Sequence, residues 1–174
     1  MKTTKKEKLI LVGHGASGKD YLAEQLLEKG LIKSRSYTSR PQRPNEIDGD
    51  VYNFVSKEEF EEMINNGEFY EYELFKEDWY YGSTKLDWNI CNLFIKTVGG
   101  VNQIREEDRE GCFIVFLDIS EKVRYQRLLE RNDNNDDLKR RMDYDRKDFE
   151  GFEDYDLKIT DEYFDSEMVF DLMD

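Results

Sequence analysis

The stretch Leu9-Ile10-Leu11-Val12-Gly13-His14-Gly15-Ala16-Ser17-Gly18-Lys19 constrains this chain more than any other. Its short unbroken apolar run reads as a buried parallel strand. A glycine-rich turn follows and leads into a helical pattern, with Leu22, Ala23, Leu26 and Leu27 on one stripe. The spacing Gly13-x-x-x-x-Gly18-Lys19 is that of a phosphate-binding loop. Glycines let successive backbone N–H groups converge on an anion, and the helix start adds its own N–H groups and positive dipole end. Gly13, Gly15, Ala16, Ser17, Gly18, Lys19 and Asp20 are therefore candidate phosphate ligands, with Lys19 the mobile cation for the β/γ-phosphates. Asp20 stands where a Ser or Thr hydroxyl would meet Mg²⁺. It offers the metal a hard oxygen instead, but also brings negative charge toward phosphate. His14, the single histidine, is read as a loop position whose backbone matters.

Strand, helix, strand, helix order along the rest of the chain predicts an α/β fold with a parallel sheet. Gly30 is placed to end the first helix. Ser56 and Glu59 form a capping box for a helix burying Phe60, Met63 and Ile64, which Gly67 ends. Residues 69–75 alternate as a strand, with Glu71 and Glu73 opposite Tyr70 and Tyr72. Residues 93–95 and 113–117 are further apolar strands. Ser120 caps a helix that turns Val123, Leu128 and Leu129 inward, and 165–173 is a last helix with Met168, Val169 and Leu172 on one side.

The length of 174 residues suits one domain, and the 11 Tyr and 11 Phe argue against disorder. A formal net charge of −14 argues against nucleic-acid and anionic-membrane partners. Any phosphate site must then gather its cations locally. No apolar run is long enough to span a membrane, and the basic start 1–8 precedes too short a run for a signal peptide. Cys91 and Cys112, each beside apolar residues, read as reduced core thiols of a cytoplasmic protein. A polar run occupies 132–137.

Three segments after the loop resemble guanylate kinase. Ser36-Tyr37-Thr38-Ser39-Arg40-Pro41-Gln42-Arg43-Pro44-Asn45-Glu46-Ile47-Asp48-Gly49-Asp50-Val51-Tyr52-Asn53-Phe54-Val55-Ser56 is the most specific; Gly67-Glu68-Phe69-Tyr70-Glu71-Tyr72 and Trp79-Tyr80-Tyr81-Gly82-Ser83 follow in the family's order. The resemblance covers most of 8–148. It implies a three-layer phosphate-loop kinase core (1–33, 91–123 and 148–174), a monophosphate-binding insert (34–90) and a helical lid (124–147) within one domain. It also implies transfer of the γ-phosphoryl group of ATP to GMP or dGMP, with Mg²⁺. Monomer and dimer both fit.

The residue types suit that chemistry. A guanine edge presents N1–H and the 2-amino group as adjacent donors and O6 as an acceptor. A carboxylate can take the donors and hydroxyls can serve O6. Glu71 matches the family's base-reading carboxylate, and Ser36 and Ser83 its hydroxyls. Arg40, Arg43, Tyr52 and Tyr81 match the residues that hold the monophosphate. Among the arginines of 124–146, Arg131, Arg141 and Arg146 best match the lid arginines that act with Lys19 and Arg43 on the transferring phosphoryl.

One part of the family pattern is missing. Ile95 and Thr97 stand where it has two aspartates, D-x-D-x-x-G, which serve the metal's water shell and the guanine amino group. Their loss keeps two other readings open: a kinase for another or modified deoxynucleoside monophosphate, and a guanylate-kinase-like module that binds without turnover. The intact Gly18-Lys19 and the arginine set favour the enzyme.

Overall fold

The computed structural model describes residues 6–75, 78–131 and 135–173, with the side chains of 135–137 left undescribed. Residues 132–134 of the polar run 132–137 and the first five residues of the basic start thus lie outside the described residues. In chain order the elements are β1 (Lys8–Gly13), α1 (Lys19–Glu28), β2 (Tyr37–Thr38), β3 (Asn53–Phe54), α2 (Lys57–Asn65), β4 (Phe69–Phe75), β5 (Trp79–Thr84), α3 (Lys85–Ile90), β6 (Leu93–Ile95), α4 (Val98–Val101), α5 (Glu106–Arg109), β7 (Cys112–Leu117), α6 (Glu121–Glu130), α7 (Asn135–Asp148), β8 (Leu157–Ile159) and α8 (Glu167–Phe170).

Apolar runs without alternation become the parallel sheet, ordered β6-β1-β7-β8. Both faces are covered. Leu9 and Leu11 of β1 pack into one core with Leu22 and Leu26 of α1. Ile10 and Val12 pack into the opposite core with Trp88, Phe94 and Phe116. The result is the predicted α/β architecture with helices on either side of a parallel sheet. β1 sits between β6 and β7, so the loop at its C-terminal end opens into the crevice where such sheets hold ligands.

A second sheet, ordered β3-β2-β5-β4, lies entirely within 34–90. β4 and β5 pair antiparallel, with Glu71 opposite Ser83. The capping box forms as predicted: Glu59 N–H donates to Ser56 Oγ, and Ser56 N–H donates back to the Glu59 carboxylate. Phe60 is fully buried against Phe69 and Tyr80, with ring centroids 4.3 and 4.9 Å away, while Met63 and Ile64 are half-buried.

Gly30, at φ 92°, ends α1 with its N–H on Leu27 O and the Leu31 N–H on Leu26 O, a Schellman arrangement. Leu27 and Leu129, expected inward, are exposed. The residues of α6 that are buried are Leu128 and Arg124, whose guanidinium reaches Ile119 O. The helix expected over 165–173 shrinks to α8. Leu172 and Met173 close i→i+3 turns there instead of continuing the α ladder, and Asp171 sits at the helix's negative end. Val169 is buried, whereas Met168 and Leu172 are exposed. Both cysteines are free and buried.

Candidate active site

The loop 13–19 owes its shape to two left-handed residues, Ala16 at φ 60° and Gly18 at φ 97°. A Cβ on Gly18 would also come within 2.9 Å of Phe164. Lys19 curls back and donates to Gly13 O (2.7 Å) and His14 O (2.9 Å). Burial pulls its ammonium below the ordinary lysine range, against the pull of Asp20 and Asp145. His14 does more than lend its backbone. Its ring lies 4.1 Å from that of Phe149, and burial followed by the charge of Arg124 lowers it to about 4. A neutral imidazole thus fastens the loop to the end of α7.

A carboxylate already touches this loop. Asp145 Oδ2, on α7, accepts the Gly15 N–H at 2.7 Å and lies 3.5 Å from Arg124. Arg127 donates to Ala16 O. These three were not singled out in the sequence as loop contacts; acidic α7 offered many carboxylates and no reason to prefer one. Asp20 begins α1 with its side chain 70% exposed and 3.7 Å from Lys33.

The loop forms one wall of a cleft of about 460 Å³. The structure brings Gly13, Gly15 and Lys19 into it from the core, and Ser36, Tyr52, Glu71 and Tyr81 from the insert. Ser83 lies just beneath, almost fully buried, with its N–H on Glu71 Oε1. Glu71 is buried too, because β4 turns its glutamates toward the cleft and Tyr72 outward. A residue overlooked in the sequence explains why such burial is tolerated. Lys96, directly after β6, donates to Glu71 Oε1 at 2.6 Å and to Ser83 Oγ at 3.2 Å. Burial lowers this lysine, and Glu71 opposes the shift. The signal was a charged residue continuing an apolar strand: strand alternation puts Lys96 on the face of Phe94, where it must find a carboxylate.

Arg40 is buried in a bidentate pair with Glu46 (2.7 and 3.0 Å) and packs over the Tyr52 and Phe54 rings. Glu46 also takes the Arg43 N–H. Burial alone would raise its carboxyl, but Arg40 brings it below the usual range. Burial pushes the Tyr52 hydroxyl upward, so it stays neutral, and its ring meets that of Tyr81 edge-on. Arg40 thus stands behind the cleft, one ring removed from it.

The predicted lid arginines do not line the cleft wall. Arg131 lies close enough to Lys19 to lower it. Arg146 is 61% exposed and bound to Glu121 and Asp143. Arg141 is half-buried on α7. Asp118 directly follows β7 and pairs with Lys158.

A parallel sheet with a phosphate loop at its switch point, facing an insert with a buried carboxylate and two tyrosines, defines a phosphate-loop kinase acting on a nucleoside monophosphate. Comparison narrows the class. The family model for guanylate kinase matches residues 5–172. A guanylate kinase of Clostridioides difficile is 34% identical over 163 residues, 88% of this chain and 79% of the relative. One of Nostoc is 31% identical over 168 residues, covering 91% and 83%. The crystal structure of guanylate kinase from Anaplasma phagocytophilum superposes with a TM-score of 0.69 at 25% identity, covering 98% of this chain and 85% of that one. The chain belongs to the guanylate kinase family.

Proposed function

We propose that this protein transfers the γ-phosphoryl group of ATP to GMP or dGMP, giving ADP and GDP or dGDP. The observation that carries the reading is the pairing of opposite walls of one cleft: Lys19 in the phosphate loop on one side, Glu71 with Ser83 and Ser36 on the other. Glu71 accepts hydrogen from the guanine edge, and the serine hydroxyls serve O6. Adenine lacks N1–H and the 2-amino group and would leave Glu71 unpaired, a penalty that rejects analogues strongly. Arg40, Arg43, Tyr52 and Tyr81 take the monophosphate, with Glu46 fixing Arg40 in a single orientation. Lys19 leaves Gly13 O and His14 O for the β/γ-phosphates of ATP. Phosphoryl transfer asks the protein for positioning and charge neutralisation, not for a covalent group.

The parts that close on substrate are the insert 34–90 and the lid 124–147, against the core 1–33, 91–123 and 148–174. Closure brings Arg131, Arg141 and Arg146 to the phosphoryl group and excludes water. Mg²⁺ fits the donor set. The described residues hold no group of three or more His, Cys, Asp or Glu that forms a metal cage. Mg²⁺ needs none, because it keeps its waters and takes phosphate oxygens, with Asp20 a hard oxygen offered beside the loop. When bound, the ion neutralises charge on the β- and γ-phosphates. Free buried thiols and nucleotide substrates fit a reducing cytoplasm.

Replacing Lys19 tests the assignment. Lys19→Ala is expected to cut ADP release with GMP by roughly a hundredfold or more while GMP binding stays near wild type. Retained turnover would exclude Lys19 from the reaction.

A further inference from the structure

On β4 the two-residue period puts Glu71 and Glu73 on one face, and both line the cleft. They meet neighbouring glycines of α4. Glu71 Oε2 lies 3.0 Å from where a Cβ on Gly100 would stand, and both carboxylate oxygens of Glu73, Oε1 the nearer, lie against the place a Cβ on Gly99 would take. Any side chain at 99 would therefore evict Glu73. Thr97 holds the carboxylate in place. Its hydroxyl accepts the Gly100 N–H as the cap of α4 and donates its one hydrogen to Glu73 Oε2. Among the described residues no donor is recorded on Glu73 Oε1. A half-buried carboxylate thus lies in the cleft wall with Oε2 tied to Thr97 and Oε1 against Gly99 without a donor among the described residues.

Hydrogen-bond capacity shows what that oxygen is for. Glu71 Oε1 already receives two donors, Lys96 Nζ and Ser83 N. A carboxylate oxygen has about two acceptor sites, so guanine meets mainly Oε2. Guanine N1–H and the two hydrogens of its 2-amino group outnumber what Oε2 can take. A further acceptor is needed, beside Glu71 and along the same strand.

We propose that Glu73 is a specificity-determining residue of the monophosphate pocket, accepting hydrogen from the 2-amino group of guanine through Oε1. Thr97 and Gly99 position it, and Lys96 offsets the charge of Glu71 so that two carboxylates coexist in one wall. The proposal deepens the guanine-nucleotide reading above and rests on it. Burial already pushes the Glu73 carboxyl above the usual range, so a hydrogen-bond donor from substrate is met by a group short of donors.

Inosine monophosphate keeps O6 and N1–H but lacks the 2-amino group, so it isolates this contact. Equilibrium titrations of GMP and IMP would be made on wild type, Glu73→Gln and Glu73→Ala, with thermal melts confirming the fold. Glutamine keeps the shape and the Thr97 partner but turns a donor toward the amino group. Wild type is expected to bind GMP more tightly than IMP, and Glu73→Gln to weaken GMP by about tenfold or more while leaving IMP unchanged. Equal losses for both nucleotides, no loss for GMP, or a wild type indifferent to the two would each overturn the proposal. Absence of ADP release with GMP would sink the phosphotransfer reading alone, because binding ratios decide this one without turnover.

Discussion

Lys96 sets which lone pairs of Glu71 a base can meet, and it sits where neither water nor salt can stand in for it. Its side chain and that of Glu71 are both nearly inaccessible. Removing one member of a buried pair leaves a charge without compensation, which costs about 3–5 kcal/mol. Lys96→Met should therefore destabilise the fold by that order in urea denaturation. It should also weaken GMP binding, since the Lys96 ammonium no longer holds the Glu71 carboxylate in place. Unchanged stability with unchanged GMP binding would mean that the pair does not hold the pocket. Glu71, Ser36 and Ser83 were legible in the sequence because their motifs name them. Lys96 and Glu73 were not, since attention fell on the absent aspartates at Ile95 and Thr97 and not on what stands beside them. Burial, which decides that a lysine must be paired, is a property of two strands meeting and is written in neither alone.

At the scale of elements, α7 and the phosphate loop share an interaction that ATP must replace. Asp145 occupies the Gly15 N–H with the same charge and geometry a phosphate oxygen would use. Phosphate binding and this contact therefore exclude each other, and α7 has to withdraw for the loop to fill. Asp145→Asn keeps a weaker acceptor but removes the charge. ATP should then bind several-fold tighter by titration, while Arg124, left without its nearby carboxylate, lowers the melting temperature by a few degrees. Weaker ATP binding in that variant would show that Asp145 assists the nucleotide instead of competing with it. Helix α1, the capping box of α2 and strands β1, β4, β6 and β7 could be read from period and caps. The contact between Asp145 and Gly15 joins residues far apart in the chain, and no local pattern reports it. The shrinkage of α8 has a simpler cause: its apolar spacing was helical, but acidic residues at its end and one buried contact, Val169, support only a single turn.

The whole molecule reconciles a strongly acidic chain with anionic substrates by concentrating cations at one cleft. Lys19 and Lys96 line it, Arg40 stands behind it, and Arg124 and Arg127 brace the loop. The parallel sheet puts the loop at a strand switch point, and the second sheet holds Glu71 across from it. Fold class and reaction class followed from motif order in the sequence, whereas the placement of Arg131, Arg141 and Arg146 away from the cleft wall did not, because it is set by the packing of α6 and α7. The central claim is that this cleft phosphorylates a guanine monophosphate selectively. A coupled ADP-release assay with ATP and Mg²⁺, offering GMP, dGMP, AMP, dTMP and dCMP in turn, tests it most directly. The account predicts turnover confined to GMP and dGMP. Turnover of AMP or a pyrimidine monophosphate at a comparable rate, or none with GMP, would contradict it.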